Sequence, residues 1–231
     1  MRKLILLFDL DKTILDFDRA EKIALKRALM DFGLAADEQV LSLYHTINKR
    51  CWELLEEGKM TRQQVLVKRF EELFGRLGVA AEGAAVTKRY EKYLCEGYYY
   101  MPGAEELLDA LDGKYEMYIV SNGSAVVQDA RLESSGIGRY FKDIFISERI
   151  GSDKPSKAFF EACFARIPDF SADRAIIIGD SLTSDIRGGR SAGILSCWYN
   201  PKQELGRKDI VPDYQINNLI QLPALLEELS K

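Results

Sequence analysis

Histidine is nearly absent from this chain. The one present, His45, makes no zinc-ligand pattern with the four cysteines (Cys51, Cys95, Cys163 and Cys197), which lie far apart in 231 residues without a Cys-x-x-Cys pair. That pattern excludes a zinc site of the usual His/Cys spacing and a disulfide framework, and it fits reduced thiols in a cytosolic protein. Lysine and arginine total 32 against 36 acidic residues, a formal charge of −4, and no basic block is long enough to follow a nucleic-acid backbone. A nucleic-acid polymer is therefore disfavoured as a partner. No apolar run approaches the ~20 residues needed to cross a bilayer. Met1-Arg2-Lys3 followed by Leu4 to Phe8 superficially resembles a signal peptide, but the run is too short and stops at Asp9. The expected setting is cytoplasmic, without a membrane partner, and the expected assembly is a monomer or weak homodimer.

What the chain does have is enough apolar material, 47% of its residues, for one large domain or two small ones. After a first strand over Leu4–Phe8, the pattern turns helical and stays so for a long stretch. Phe17, Ala20, Ala24, Ala28 and Phe32 share one face, and so do Val40, Tyr44, Ile47, Cys51, Leu54 and Leu55. A third helix runs from the N-cap Thr61 to Gly78, and a fourth from about Glu82 to Glu96. From Pro102-Gly103 onward helices alternate with strands near 115–121, 143–147, 174–179, 194–199 and 214–216, the rhythm of a parallel sheet. The expected fold is α/β: a Rossmann-like parallel sheet flanked by helices over residues 1–15 and 100–231, interrupted by a four-helix insert over 16–99. An insert leaving the core just after the first strand sits where open parallel sheets bind ligands, and so reads as a cap domain. Asp16–Asp18 and Gly97–Tyr100 are then expected to be hinges.

Five short segments lie where predicted strands end: Asp9-Leu10-Asp11-Lys12-Thr13, Ser121-Asn122-Gly123, Lys154-Pro155, Gly179-Asp180-Ser181, and Asp185. Together they offer two neighbouring carboxylates, a hydroxyl beside backbone N–H groups, an ammonium and a second acidic pair. That set suits metal-assisted phosphoryl transfer through a covalent aspartyl intermediate. Ser121 and Asn122 precede a helix, whose N-terminal N–H groups and dipole favour an anion. Asp180 is a hard oxygen donor of the kind Mg²⁺ prefers. Ser181, Thr183 and Ser184 read as caps of the following helix, and Lys157 as a solvated surface lysine.

These segments, in this order, resemble the four motifs of the haloacid dehalogenase (HAD) superfamily, in its branch of phosphatases with an inserted helical cap. The resemblance implies that Asp9 is the nucleophile, Asp11 the general acid and base, and Lys154, whose Lys-Pro pair would open a helix continuing through Phe159 and Phe160, the cation holding nucleophile and phosphoryl group together. Ser121 and Asn122, with Lys154, would bind the substrate phosphate. Asp9, Asp11 (through its carbonyl), Asp180 and Asp185 would hold Mg²⁺, Asp185 through a water or by steadying Lys154. The run Gly179-Asp180-Ser181-Leu182-Thr183-Ser184-Asp185-Ile186-Arg187-Gly188-Gly189, with Ala192-Gly193-Ile194 and Trp198-Tyr199-Asn200-Pro201, is similar to the YjjG-type pyrimidine 5′-nucleotidases. This implies a small phosphomonoester substrate, a nucleoside 5′-monophosphate, with Phe17, Trp52 and Tyr98–Tyr100 as aromatics able to stack on a base or simply to pack. A sugar-phosphate phosphatase or a β-phosphoglucomutase-like phosphomutase on the same scaffold is the alternative. A dehalogenase is disfavoured because that chemistry usually lacks the second acid, Asp11, and a catalytically dead binding module because no key group is missing.

Overall fold

The computed structural model describes residues 3–230. Two compact units divide the chain: one runs to Asp16 and resumes at Tyr98, and the other is Phe17–Gly97. The first begins with β1 (Ile5–Phe8), four apolar residues buried on both faces, as a central strand of a parallel sheet must be.

The second unit is made of α1 (Phe17–Asp31), α2 (Glu38–Glu56), α3 (Arg62–Leu77) and α4 (Gly83–Leu94). Helix α1 packs on α4, and α3 packs on both α2 and α4. Val65, Phe70, Leu73 and Phe74 form the apolar stripe of α3, and Tyr44, Phe70 and Tyr90 meet with ring centroids 5.0–5.8 Å apart. A polar chain is buried beside them: Asn48 Nδ2 donates to Glu21 (2.6 Å), while Arg69 and the Trp52 indole both donate to Asn48 Oδ1 (3.1 Å each). Trp52 thus has a packing and hydrogen-bonding role within the unit. Helix α3 starts at a capping box, in which Thr61 Oγ1 accepts from Gln64 N and Gln64 Oε1 accepts from Thr61 N.

The first unit continues through α5 (Ala104–Leu111), β2 (Glu116–Ser121), α6 (Ala125–Ser135), β3 (Asp143–Ile146), α7 (Ser147–Ile150) and α8 (Lys157–Phe164). It closes with β4 (Ala175–Gly179), α9 (Arg187–Ser191), β5 (Leu195–Tyr199), β6 (Tyr214–Ile216) and α10 (Leu222–Leu229). The six strands form one parallel sheet in the order β3-β2-β1-β4-β5-β6. Alternation along β1 sends Leu6 and Phe8 into a core with α5 and α10, and Ile5 and Leu7 into a second core with Phe159, Phe160 and Cys163 of α8. Strand β1 therefore lies mid-sheet with β2 and β4 beside it, and the winding direction reverses there. Parallel sheets bind ligands beyond the carboxyl ends of their strands at such a reversal. All four cysteines are free thiols, and no helix among the described residues is long and apolar enough to cross a membrane.

Truncating the cap of α3 tests the stability of the helical unit. Thr61→Ala removes one side-chain acceptor from the helix terminus and should cost about 1 kcal/mol. Hydrogen exchange should detect this as faster exchange confined to the amides of Phe17–Gly97; unchanged exchange there would contradict it.

Candidate active site

The register of β1 with its neighbours sets the position of Asp9. Its N–H donates to Ile178 O of β4 (2.9 Å), so the strand pairing runs on to the residue carrying the carboxylate. Asp9 is 7% exposed, and Lys154 is 1% exposed. The Lys154 ammonium donates to Asp9 Oδ1 (2.6 Å), Asp185 Oδ1 (2.7 Å) and Val120 O (2.7 Å), which uses all three of its protons. Three strand ends are joined through this one nitrogen.

The backbone of Lys154 is held too. Asn122 Nδ2 donates to Lys154 O (2.9 Å), and Lys154 N donates to Asn122 Oδ1 (2.8 Å). The side-chain amide of Asn122 is thus committed to clamping Lys154 and not to meeting a ligand. The expectation that Lys154-Pro155 opens a helix needs correction: the pair joins through a cis peptide in a turn, and α8 begins at Lys157. Lys157 is itself exposed and pairs with Glu161 (3.3 Å), the ordinary i,i+4 surface arrangement. Helix α6 likewise starts later than the motif suggests, at Ala125. The Gly123 N–H is taken by Ser121 Oγ (3.1 Å) and the Ala125 N–H by Glu148 (2.7 Å). Those two donors are internally satisfied, so the anion site read from a simple helix terminus is more occupied than the sequence implies.

After β4 the chain turns through Asp180 and Ser181 into a π-helical turn, Leu182–Ile186, where the motif suggests a regular helix start. Ser181 caps it, its Oγ accepting from Ser184 N (3.1 Å). The wide turn returns the Asp185 side chain to the strand end, where its Oδ2 accepts from Ser181 N (3.0 Å). Gly179 makes room for this. A Cβ there would stand 2.2 Å from Asp185 Oδ2, a contact no side chain can make. The Trp198 indole donates to Asp180 O (2.8 Å) and steadies the turn from β5.

Asp9, Asp180 and Asp185 place one carboxylate oxygen each within 4.8 Å of one another. Burial first, then neighbouring carboxylates against the opposing pull of Lys154, raise the Asp9 pKa well above the usual range. Asp180 is pushed up to about 7, by burial first and by Asp185 next, with Lys12 and Lys154 easing it in part. Burial disfavours the charge on Lys154, but Asp185 and Asp9 outweigh it and raise its pKa. Three carboxylates facing one buried ammonium leave an excess of negative charge. A hard divalent cation with oxygen ligands would neutralise that excess, and the donor set fits one.

Asp11 stands apart from this trio. Its backbone turns sharply, with Lys12 at φ +63°, and Ile14 N and Leu15 N return to Leu10 O (3.0 and 2.9 Å). Its carboxylate faces α6, where Arg131 Nη1 donates to Oδ1 and Gln128 Nε2 to Oδ2 (2.7 Å). Gln128 Nε2 also donates to Ser121 Oγ (2.8 Å), and Arg131 Nη1 to Gln128 Oε1 (2.9 Å). Gln128 and Arg131 are contacts that the strand-end motifs do not reveal. The signal that would find them is their spacing: with Val127 and Leu132 they form the buried stripe of α6, where long polar side chains need partners.

The pattern of the haloacid dehalogenase-like hydrolases matches residues 6–199 of this chain. The HAD-hydrolase YfnB of Bacillus subtilis is 43% identical over 221 residues, 96% of this chain and 94% of its own length. The crystal structure of YfnB, bound to magnesium, superposes with a TM-score of 0.94, covering 98% of this chain and 99% of that one. The pyrimidine 5′-nucleotidase PynA of Streptococcus pneumoniae is 39% identical over 224 residues, 96% of this chain and 94% of PynA. The pyrimidine 5′-nucleotidase YjjG of Escherichia coli is 31% identical over 219 residues, 95% of this chain and 96% of YjjG. With these matches spanning both the sheet and the strand-end residues, the chain belongs to the haloacid dehalogenase-like hydrolases.

Proposed function

We propose that this hydrolase is a Mg²⁺-dependent phosphatase that cleaves small phosphomonoesters, foremost nucleoside 5′-monophosphates, through an aspartyl-phosphate on Asp9. The observation that carries the reading is the buried Asp9 carboxylate, held against Lys154 at 2.6 Å and flanked by Asp180 and Asp185. Support for the nucleotide substrate comes from likeness to PynA and YjjG, and support for magnesium from the acidic trio and from YfnB.

In this mechanism Lys154 orients the Asp9 carboxylate and draws the dianionic phosphoryl group toward it. Ser121, at the end of β2, meets a phosphate oxygen. One Asp9 oxygen attacks phosphorus as the bond to the leaving alkoxide breaks, and Asp11 gives that alkoxide its proton. Asp11 then takes a proton from the water that attacks the acyl phosphate, which frees Asp9 and inorganic phosphate. Asp9, Asp180, the Asp11 carbonyl and, through a water, Asp185 would hold Mg²⁺, which when bound would neutralise charge as one anion approaches another. Asn122 acts in this scheme through Lys154, whose backbone it fixes. The helical unit is spliced into the chain just after the Asp9 loop.

Asp9→Asn should lower phosphate release from a nucleoside monophosphate by about 10³-fold or more, with the fold retained. Near-normal turnover by this variant, measured with a panel of nucleotides, sugar phosphates and an aryl phosphate, would refute the covalent route. Chelation should abolish the wild-type activity and Mg²⁺ should restore it.

The raised pKa values give the metal a pH signature. Stability tied to protonated Asp9 and Asp180 is present near pH 4 and is lost as the pH climbs through their folded-state values, about 7 for Asp180. A cation removes that loss by replacing the protons. The rise in melting temperature on adding Mg²⁺ should therefore be at least about twofold larger at pH 8 than at pH 5. Equal shifts at both would count against a cation among these carboxylates.

A further inference from the structure

The contacts around Asp11 form a closed circuit whose polarity admits one arrangement. Arg131 has no acceptor atoms, so its bond to Gln128 fixes Oε1 toward the guanidinium and Nε2 toward Asp11 and Ser121. A flipped Gln128 amide would set N–H against N–H on one side and oxygen against carboxylate on the other. Both Asp11 oxygens are held, one by each residue, although the Asp11 side chain is 25% exposed and its loop would otherwise leave it free to turn. The Arg131 side chain is fully buried, and Gln128 is 1% exposed. Gly123 makes room for the circuit, since a Cβ there would stand 2.3 Å from Gln128 Nε2.

Resting on the phosphatase reading, we infer that Arg131 and Gln128 are positioning residues that set where Asp11 delivers its proton and tie that group to Ser121. As the bond from phosphorus to the leaving oxygen breaks, the Asp11 O–H proton passes to that oxygen and the resulting carboxylate settles between the two donors. In the second half-reaction the same carboxylate, already oriented, takes the proton of the attacking water. Placement within hydrogen-bond reach governs both transfers, and an error of 1 Å is worth about 10²-fold in rate. Buried packing would explain an arginine and a glutamine on α6, but it would not require both oxygens of one carboxylate on a distant loop to be met.

The test compares leaving groups. A nucleoside 5′-monophosphate expels a basic alkoxide that needs a proton, whereas 2,4-dinitrophenyl phosphate expels a stable phenolate that does not. In Arg131→Met, kcat/KM for the nucleotide should fall about 10²-fold and for the dinitrophenyl ester less than about 3-fold. Asp11→Ala should show the same selectivity, and Arg131→Lys should recover part of the nucleotide activity. Gln128→Leu, which adds no charge and keeps the volume, should show the selectivity in milder form and carries the test if Arg131→Met fails to fold by thermal melting. Equal falls for both esters in the folded variants would overturn the positioning role. A wild-type enzyme inactive on both esters with Mg²⁺ would instead overturn the phosphatase reading on which the inference rests.

Discussion

The Lys154 ammonium organises the sheet unit's chemistry. It is buried, it donates to Asp9, Asp185 and Val120 O, and those partners come from three parallel strands or the turn after one of them. An ammonium in such surroundings is tolerable only when every proton has an acceptor, and removing one member of a buried ion pair typically costs about 3–5 kcal/mol. The arrangement therefore forces the carboxylates together. Once they are together, burial and neighbouring carboxylates, Asp185 above all, raise the pKa values of Asp9 and Asp180, and the site has a charge imbalance to which a divalent cation answers.

Backbone geometry places these groups where side-chain flexibility would not. Asp9 sits on an extension of strand pairing, Lys154 is pinned at N–H and carbonyl by Asn122, and Asp185 is turned back by a π-helical turn over a glycine. In each case a main-chain hydrogen bond or a missing Cβ does the aligning. Preorganisation of this kind means that little ordering remains to be done when a substrate arrives.

The two carboxylates of the first motif have opposite surroundings, and this separation is what allows one sequence Asp-Leu-Asp to serve two chemical purposes in the proposed mechanism. Asp9 faces a buried cation and other carboxylates, while Asp11, two residues on, faces Arg131 and Gln128 across a sharp turn. Environment assigns different work to identical side chains. The helical unit has a buried polar chain of its own through Glu21, Asn48 and Arg69, so three of its four helices, α1, α2 and α3, are fixed relative to one another by more than apolar contact.

Much of this was legible in the residues. Apolar runs ending at Asp9, Ser121 and Gly179 announced the strands and their functional ends, and the caps at Thr61 and Gly78 bounded α3, because period, capping and turn chemistry are local properties. The late starts of α6 and α8, the π turn before α9, and the use of Asn122 as a clamp were not legible, because each involves a partner far off in the chain: Glu148 for α6, Asn122 for the turn before α8, and Lys154 for both Asp185 and Asn122. Gln128 and Arg131 read as ordinary helix residues until the packing of α6 brings them to Asp11. The linear order of residues by itself determined which groups lie at strand ends. Only the tertiary structure decided which of those groups share a proton or a counter-charge, since that depends on distances between segments far apart in the chain.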